Sequence, residues 1–239
     1  MTISGKPVMD LGRREVRNID SFAINRLAVP GVVLMENAGK KTAQVIDDFL
    51  CGSAGRRIAV VAGSGNNAGD GFVVARHLAI RGGRVVTFLI SLPEKLTGDA
   101  RINYDILKNL KLPVEVMDEK TLHALAGRLA GFDLVVDAVG GTGIRGALAG
   151  AQKSAVEQIN LSRKTVVAID IPTGLDCDTG LADGPAVKAD LTVTFVARKK
   201  GFSAGKAEQY TGKVIVADIG IPLDRVLELI GQGGNESPG

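Results

Sequence analysis

The stretch Arg57-Ile-Ala-Val-Val-Ala-Gly-Ser-Gly-Asn-Asn-Ala-Gly-Asp-Gly71 decides the fold, because it runs from an apolar, strand-like segment into a glycine-rich loop. Apolar residues at helical spacing follow over residues 72–79. A buried strand, a tight turn and a helix in this order are typical of a βαβ unit. The alternation continues, with further strands predicted at 84–90, 113–117, 133–139, 165–169, 191–196 and 213–217. Further helices are predicted at 97–110, 120–129, 151–159 and 222–230.

These strands are continuous apolar runs, which is typical of a parallel sheet covered by helices on both faces. We therefore predict a single α/β domain over residues 1–230, with a Rossmann-like, doubly wound, mostly parallel sheet flanked by helices. The first fifty residues have helical patterns broken at Pro30-Gly31, and they form a helical N-terminal extension in this prediction. Residues 231–239 are polar and glycine-rich, and we predict a disordered tail there.

Composition excludes several classes of protein. The chain has 239 residues, of which 45% are hydrophobic and 23% charged, and no apolar segment approaches the ~20 residues of a membrane span. A net charge of +3 and the absence of tryptophan argue against nucleic-acid binding. The N-terminus lacks the apolar core of a signal peptide, and two cysteines give no disulfide framework. We expect a soluble, cytoplasmic protein that does not bind membranes.

Three predicted strands end in unusual loops, at residues 63–71, 140–146 and 170–176. Because ligands bind at the carboxyl ends of parallel strands, we expect all three loops at one edge of the sheet. Two loops match the dinucleotide pattern G-x-G-x-x-G/A, first at Gly63, Gly65 and Ala68 and then at Gly141, Gly143 and Gly146. Backbone N–H groups of such loops bind phosphate. The alternative is that the glycines only permit tight turns.

Other nucleotide-binding patterns are absent from the sequence. NAD dehydrogenases carry a ribose-binding acid ~20 residues past the glycines, but Ser91 lies there, with Glu94 further on. No Lys-Ser/Thr pair directly follows the glycines as in a Walker A loop. The polar side chains predicted at this edge are Asn66, Asn67, Asp70, Asp137 and Asp170.

Each of these polar side chains has more than one interpretation. Asp137 and Asp170 each end an apolar strand, where a partly desolvated carboxylate can serve in acid–base chemistry or bind a cation. Asp70 fits a helix N-cap equally well. Cys177 has no activating neighbour in sequence. The basic run 198–200 follows another strand, and it is either a phosphate site or a solvated basic turn.

Five co-linear segments cover nearly the whole chain and carry a family resemblance. They are Leu34-Met-Glu-Asn-Ala-Gly39, Val60-Val-Ala-Gly-Ser-Gly-Asn-Asn-Ala-Gly-Asp-Gly71, Val135-Val-Asp-Ala-Val-Gly-Gly-Thr-Gly143, Ala168-Ile-Asp-Ile-Pro-Thr-Gly-Leu-Asp176 and Gly212-Lys-Val-Ile-Val-Ala-Asp-Ile-Gly-Ile-Pro222. Together they resemble the NAD(P)H-hydrate epimerase family, which has the YjeF N-terminal domain. The resemblance implies an isomerase that binds the damaged, hydrated form of NADH or NADPH and interconverts its R and S epimers.

The resemblance also implies the residues of the site. Substrate contacts carry over to Asn66, Asn67, Ala68, Gly69, Asp70, Gly141, Thr142, Gly143, Ile144, Arg145, Gly146, Ala147 and Asp170. A potassium ion carries over to Asn67, Asp137 and Thr173. The chain departs from the family pattern at Ala68, where glycine is usual, and at Thr173, where serine is usual. Ala68 matters only if its backbone needs a positive φ, and Thr173 keeps the hydroxyl oxygen on a stiffer side chain.

The family's chemistry suggests a role for Asp170. The hydrate carries a hydroxyl on C6 beside the ring nitrogen, whose lone pair can help to expel it as water. We expect Asp170 to protonate the departing hydroxyl and then to deprotonate water that adds to the opposite face. Ring opening and reclosure would use the same group.

The resemblance further implies a homodimer, formed through the helical extension, and a separate NAD(P)H-hydrate dehydratase as functional partner. Two alternatives remain. One is a non-catalytic nucleotide- or RNA-binding or dimerisation module of the same fold, which the intact acidic residues argue against. The other is an NAD(P)-dependent oxidoreductase, which the absent ribose acid argues against.

Overall fold

Seven parallel strands form the central sheet of the computed structural model, which describes residues 10–233 of the chain. The strands in this range are β1 (Asp10–Leu11), β2 (Arg57–Ala62), β3 (Arg84–Leu89), β4 (Val114–Val116), β5 (Leu134–Ala138), β6 (Val166–Ile169), β7 (Leu191–Phe195), β8 (Arg198–Lys199) and β9 (Lys213–Ala217). The α-helices are α1 (Arg13–Asn25), α2 (Gly31–Phe49), α3 (Asn66–Ile80), α4 (Gly98–Asn109), α5 (Glu119–Leu122), α6 (Leu125–Leu129), α7 (Gly150–Leu161), α8 (Glu208–Thr211) and α9 (Leu223–Gly233).

The strand order across the large sheet is β4-β3-β2-β5-β6-β7-β9, and each neighbouring pair is parallel. The order reverses direction between β2 and β5, as in the doubly wound dinucleotide-binding fold, and β9 extends that fold by one strand. The predicted fold class is therefore confirmed. Strands β1 and β8 form a separate parallel pair, which ties the N-terminal extension to the chain just after β7.

Two apolar layers cover the sheet, and β2 shows why its sequence is apolar at every position. Val60 and Ala62 face a core formed with α1 to α4 and α9, whereas Ala59 and Val61 face a second core formed with α5 to α7. Because successive side chains of a strand point to opposite faces, a central strand needs apolar residues on both. Asp137 is the exception, since it lies within β5 and is fully buried.

Helix α3 begins six residues earlier than predicted, so the segment Asn66 to Gly71 is helical and the prediction of a loop there was wrong. Gly65 enters the helix in an extended conformation. A Cβ on Gly69 would meet Met35, and one on Gly71 would meet Ala138. These two helical glycines permit close packing. Their residue type alone predicts a turn, which is why the loop was predicted there.

Other boundaries also differ from the prediction. The predicted helix at 120–129 is two short helices, α5 and α6. Helix α9 continues to Gly233, so residues 231–233 are helical and the predicted tail cannot begin before 234. Residues 1–9 of the extension and 234–239 of the predicted tail lie outside the described residues. Within residues 10–233, no helix has both the length and the apolar character of a membrane span.

Candidate functional site

A cavity of about 710 Å³ opens at the carboxyl ends of β2, β5 and β6, beside the point where the strand order reverses. Typical small-molecule sites measure ~300–1,000 Å³. Ten of the predicted site residues line the cavity, namely Asn66, Asn67, Asp70, Gly141, Thr142, Gly143, Ile144, Arg145, Ala147 and Asp170. Helices α1 and α2 supply a further wall, with Val16, Asp20 and Leu34 among its residues. The predicted loops therefore meet at one edge, and the extension covers them.

The two glycines of the first turn have different surroundings: Gly63 packs against the protein, and Gly65 faces open space. A Cβ on Gly63 would collide with the carbonyl oxygen of Val139, so β2 and the end of β5 can approach only with glycine there. The side of Gly65 where a Cβ would lie has no protein atom within 4 Å. The first N–H groups of a helix have no intrahelical acceptor. The start of α3 can therefore bind a phosphate beside Gly65.

Ala68 and Gly69 lie on α3 and face the protein core. Ala68 is fully buried, and its backbone is helical without a positive φ, so its methyl group causes no strain. The N–H groups of Ala68 and Gly69 both donate to the carbonyl of Gly65, at 3.0 and 3.2 Å. Neither residue lines the cavity, and their contact with substrate stays a prediction.

The second glycine loop forms the opposite wall of the cavity. A Cβ on Gly143 would have no protein atom within 4 Å, so this residue offers open backbone to a ligand. Gly146 is exposed, has a φ of +68° and borders a separate small pocket. Its substrate contact stays a prediction. Helix α7 begins only at Gly150, so the second loop lacks the direct entry into a helix that the first loop has.

Arg13 of the extension holds this second loop in place. Its Nε donates to the carbonyl of Thr142 at 2.8 Å, and its Nη2 donates to the carbonyl of Ile144 at 3.1 Å. The same Nη2 forms an ion pair with Asp176 at 2.7 Å. No sequence motif marks Arg13, because an arginine at the start of a charged helix resembles an ordinary surface residue.

Asp137 and Thr173, two of the predicted ion ligands, are in direct contact. Oδ1 of Asp137 accepts from the Thr173 hydroxyl at 2.7 Å, and its Oδ2 accepts from the Thr173 N–H at 2.8 Å. Burial raises the pKa of Asp137 to about 6, although the hydrogen bonds from Thr173 and Val139 oppose that rise. The Thr173 hydroxyl also lies 2.9 Å from the carbonyl oxygen of Gly140, which borders the cavity. The threonine therefore keeps its oxygen beside Asp137.

Asn67, the third predicted ion ligand, has a side-chain amide without a protein partner. The residue is 8% exposed, and both Nδ2 and Oδ1 are buried with no hydrogen bond. A Cβ on Gly141 would lie 3.4 Å from Asn67 Oδ1, so this amide borders the loop that continues from Gly140. Buried polar groups are almost always hydrogen-bonded. The amide is therefore a candidate ligand for an ion or for the substrate.

Asp170 has a backbone conformation that only a tightly held residue adopts. Its φ is +65°, and the N–H of Ile171 donates to the carbonyl of Ile169 at 2.8 Å across it. This is a γ-turn with a positive-φ centre, which is rare and strained. Oδ1 of Asp170 forms an ion pair with Lys199 Nζ at 2.9 Å. A Cβ on Gly141 would lie 3.3 Å from Oδ2, which places that oxygen beside the cavity wall.

Two further carboxyl groups line the cavity and interact electrostatically with Asp170. Desolvation, followed by repulsion from Asp170 and then from Asp20, raises the pKa of Asp70 well above its ordinary value. Desolvation is also the main cause that raises the pKa of Asp20 to about 6, with Asp170 adding to it and Lys199 opposing it. These surroundings therefore favour the protonated form of Asp70. Asp20 lies on α1, and no motif in the sequence marked it.

The basic run 198–200 is not a solvated basic turn, because its central residue is buried. Phosphate binding by this run stays a prediction. Lys199 is fully buried and ion-paired with Asp170, whereas Lys200 is half exposed and paired with Glu15 at 2.7 Å.

Cys177 is buried, and desolvation raises the pKa of its thiol to about 12. This agrees with the absence of any activating neighbour and leaves the cysteine as a core residue.

Comparisons with known proteins identify relatives over nearly the whole chain. The profile of the family described as YjeF-related protein N-terminus matches residues 31–201. A protein named NAD(P)H-hydrate epimerase, from Pirellula staleyi, is 41% identical over 211 residues, which cover 88% of this chain and 92% of that relative. A bifunctional NAD(P)H-hydrate repair enzyme Nnr, from Moorella thermoacetica, is 42% identical over 211 residues. That match covers 87% of this chain but only 40% of the bifunctional protein's length.

Among solved structures, the crystal structure of the yeast protein YNL200c has the same fold. The two superpose with a TM-score of 0.73 at 25% sequence identity, and the match covers 87% of each chain.

Proposed function

Because the chain belongs to the YjeF-related N-terminal family, we infer that it is an NAD(P)H-hydrate epimerase, an isomerase that interconverts the R and S forms of hydrated NADH and NADPH. The observation that carries this inference is the placement of Asp170 against a glycine-lined cavity at the reversal of strand order. That position is where doubly wound folds bind dinucleotides. The match also runs over 92% of a relative with this single named activity.

The cavity walls divide the work of binding a hydrated dinucleotide. The start of α3 beside Gly65 and the open backbone at Gly143 suit the phosphates, because N–H groups bind anions without a bulky side chain between. The carboxyl groups of Asp70 and Asp170 suit the nicotinamide end, where proton transfer is needed. In this proposal the dinucleotide is a substrate and not a hydride donor, so the ribose-binding acid of dehydrogenases is not required.

We assign the two proton transfers to two different residues. Asp70, whose buried surroundings favour its protonated form, gives its proton to the C6 hydroxyl. The C–O bond breaks, water leaves, and the ring nitrogen's lone pair forms a C=N bond. Water then adds to the opposite face of C6, the C=N electron pair returns to nitrogen, and Asp170 takes the released proton. A proton returns from Asp170 to Asp70 before the next turnover.

This assignment refines the expectation that Asp170 performs both steps. Asp170 is paired with a buried ammonium 2.9 Å away, whereas burial and two neighbouring carboxyl groups favour the acid form of Asp70. Two carboxyl groups in different environments can therefore divide the acid and base roles.

We further propose that Asn67, Asp137 and Thr173 hold a potassium ion. Amide, carboxylate and hydroxyl oxygens are hard donors, and a single carboxylate suits a monovalent ion better than calcium. The unpartnered amide of Asn67 supports this ligand set. When bound, the ion would supply a positive charge behind the second glycine loop and fix its distance from α3.

Three finer points belong to the same proposal. A homodimer through the extension is supported by exposed apolar side chains at Ile24, Leu27 and Val33, which sedimentation of the purified chain would test. Free thiols at Cys51 and Cys177 are consistent with a cytoplasmic location. A separate dehydratase would consume one epimer, and this chain would supply it from the other.

The direct test is to incubate the purified chain with one separated epimer of NADPH hydrate and follow the other by chromatography. Appearance of the second epimer, far faster than without protein, is expected. A gel shift with single-stranded RNA at physiological salt tests the non-catalytic alternative. RNA binding without epimerisation would show that the protein is a binding module and not an enzyme.

A further inference from the structure

Lys199 is a fully buried basic residue at the end of the short strand β8. Its side chain is 0% exposed, and its Nζ lies 2.9 Å from Asp170 Oδ1. The same Nζ donates to the carbonyl of Phe195 at 2.9 Å and lies 3.5 Å from the carbonyl of Ala197. Lysines are almost never fully buried unless paired. The ammonium of Lys199 is paired with one carboxylate and one carbonyl oxygen. Removing that charge from water nevertheless costs considerable desolvation free energy.

The groups that Lys199 joins belong to two strained turns at the ends of neighbouring strands. Asp170 follows β6 with a φ of +65°, and Val196 follows β7 with a φ of +68°. The N–H of Ala197 donates to the carbonyl of Phe195 at 2.7 Å across Val196, so this turn repeats the γ-turn at Asp170. A positive φ is a clear outlier for a β-branched residue such as valine. Both turns persist only because the surrounding contacts hold them.

We propose that Lys199 is a positioning residue, which locks these two turns together so that the Asp170 carboxylate is aimed into the cavity. The ammonium occupies Oδ1 and leaves Oδ2 beside Gly141, where the substrate would lie. The Thr194 hydroxyl, 3.5 Å from Oδ1, is too distant to replace the ammonium. Lys199 itself is fully buried and acts through Asp170 without touching the substrate. This inference rests on the proposed epimerase activity and extends it to a residue outside the cavity.

The role of Lys199 makes a specific kinetic prediction. Substrate affinity depends on the glycine loops and the start of α3, which Lys199 does not contact. A carboxylate that has lost its anchor can rotate, and misplacement of a reacting group by about 1 Å can cost ~100-fold in rate. The loss should therefore fall on kcat and spare KM.

The experiment compares Lys199→Met with Lys200→Met, which changes the same residue type at the next position on the surface. We expect kcat of Lys199→Met to fall by at least about tenfold while KM stays within about threefold, since an acid–base group contributes ~10²–10⁴ in rate. Lys200→Met should keep both within about twofold. Thermal unfolding by circular dichroism checks that both variants are folded. If Lys199→Met is unstable, Lys199→Gln takes its place, because glutamine keeps a donor for the Phe195 carbonyl. The changes in kcat and in KM are then compared in the same way.

Each outcome decides the inference. A kcat within threefold of wild type, or an equal loss of affinity and kcat, would overturn it. Failure of both Lys199 variants to fold would also overturn it, because Lys199 would then serve the fold and not the aim of Asp170. An inactive wild-type chain would instead refute the proposed epimerase activity.

Discussion

The guanidinium of Arg13 and the carboxylate of Asp176 form an ion pair of 2.7 Å that joins the N-terminal extension to the loop after β6. Two further hydrogen bonds run from Arg13 to the carbonyls of Thr142 and Ile144. The extension therefore holds the loop to which the proposed function assigns phosphate binding. A family resemblance names the loop residues, but it gives no reason for the loop's shape.

Replacing Arg13 should weaken hydrate binding by loosening that loop. Arg13→Met removes both hydrogen bonds to loop carbonyls, and about 1.4 kcal/mol of lost binding energy corresponds to a tenfold weaker affinity. Arg14→Met, at the exposed neighbouring position, is the matched control and should bind as wild type does. Calorimetry with one hydrate epimer measures both. Equal affinity for the two variants would show that the loop keeps its shape without Arg13.

Asp170→Asn should lower both activity and stability. The rate should fall by at least ~100-fold, because the amide cannot accept a proton. The ammonium of Lys199 would remain buried without its counter-charge, which costs about 3 kcal/mol of unfolding free energy. The double variant Asp170→Asn with Lys199→Met removes that charge and should regain stability without regaining activity. Denaturant unfolding and the epimer assay check the pair, and a double variant as unstable as Asp170→Asn would contradict the account.

The pH dependence of the rate should show Asp70 as an acid. Because desolvation raises the pKa of Asp70 and favours its protonated form, the rate should fall as pH rises through that pKa. Asp70→Asn should be slow at every pH and lose this alkaline fall. The same raised pKa means that the ionised carboxylate destabilises the fold, so the variant should be more stable than wild type at alkaline pH. Asp48→Asn, at an exposed position of α2, is the control. If the rate of Asp70→Asn still falls at alkaline pH as it does in wild type, another group is the general acid.

Gly143→Val should weaken hydrate binding and leave the fold intact. No protein atom lies within 4 Å of a Cβ there, so the side chain meets nothing until a ligand approaches. Gly127→Val is the matched control, since its Cβ is equally free and it lies on α6, away from the cavity. We expect about a tenfold or greater loss of affinity for the first variant only, by calorimetry. Unchanged affinity of Gly143→Val for the hydrate would show that the second glycine loop is only a structural turn.

Exchange of potassium for tetramethylammonium at constant ionic strength should weaken hydrate binding, and added potassium should restore it. Asn67→Leu should remove this dependence and leave thermal stability unchanged, because the amide of Asn67 has no hydrogen bond within the protein. Asp137→Ala is a poorer test, since it would leave the buried N–H of Thr173 without its acceptor. Binding that is insensitive to the exchange would exclude the ion.

The sequence was enough to predict the sheet, because the central strands are buried on both faces and are therefore mostly apolar. It also placed Asp137 and Asp170 at one edge, since parallel strands end together. It could not reveal Arg13 or Lys199, because their partners are distant along the chain and both residue types normally lie at the surface. Asp170 has a positive φ, and its N–H donates to Val193 while its carboxylate pairs with Lys199. Both partners are distant along the chain, so no local pattern encodes this arrangement.

The most direct test of the central claim starts the reaction separately from each pure epimer of NADPH hydrate. An epimerase must bring both mixtures to the same ratio of R to S, with total hydrate constant and no NADPH formed. Asp170→Asn should approach that ratio at least ~100-fold more slowly. Two mixtures that keep their starting composition at the rate without protein, or that lose hydrate instead of interconverting it, would contradict the claim.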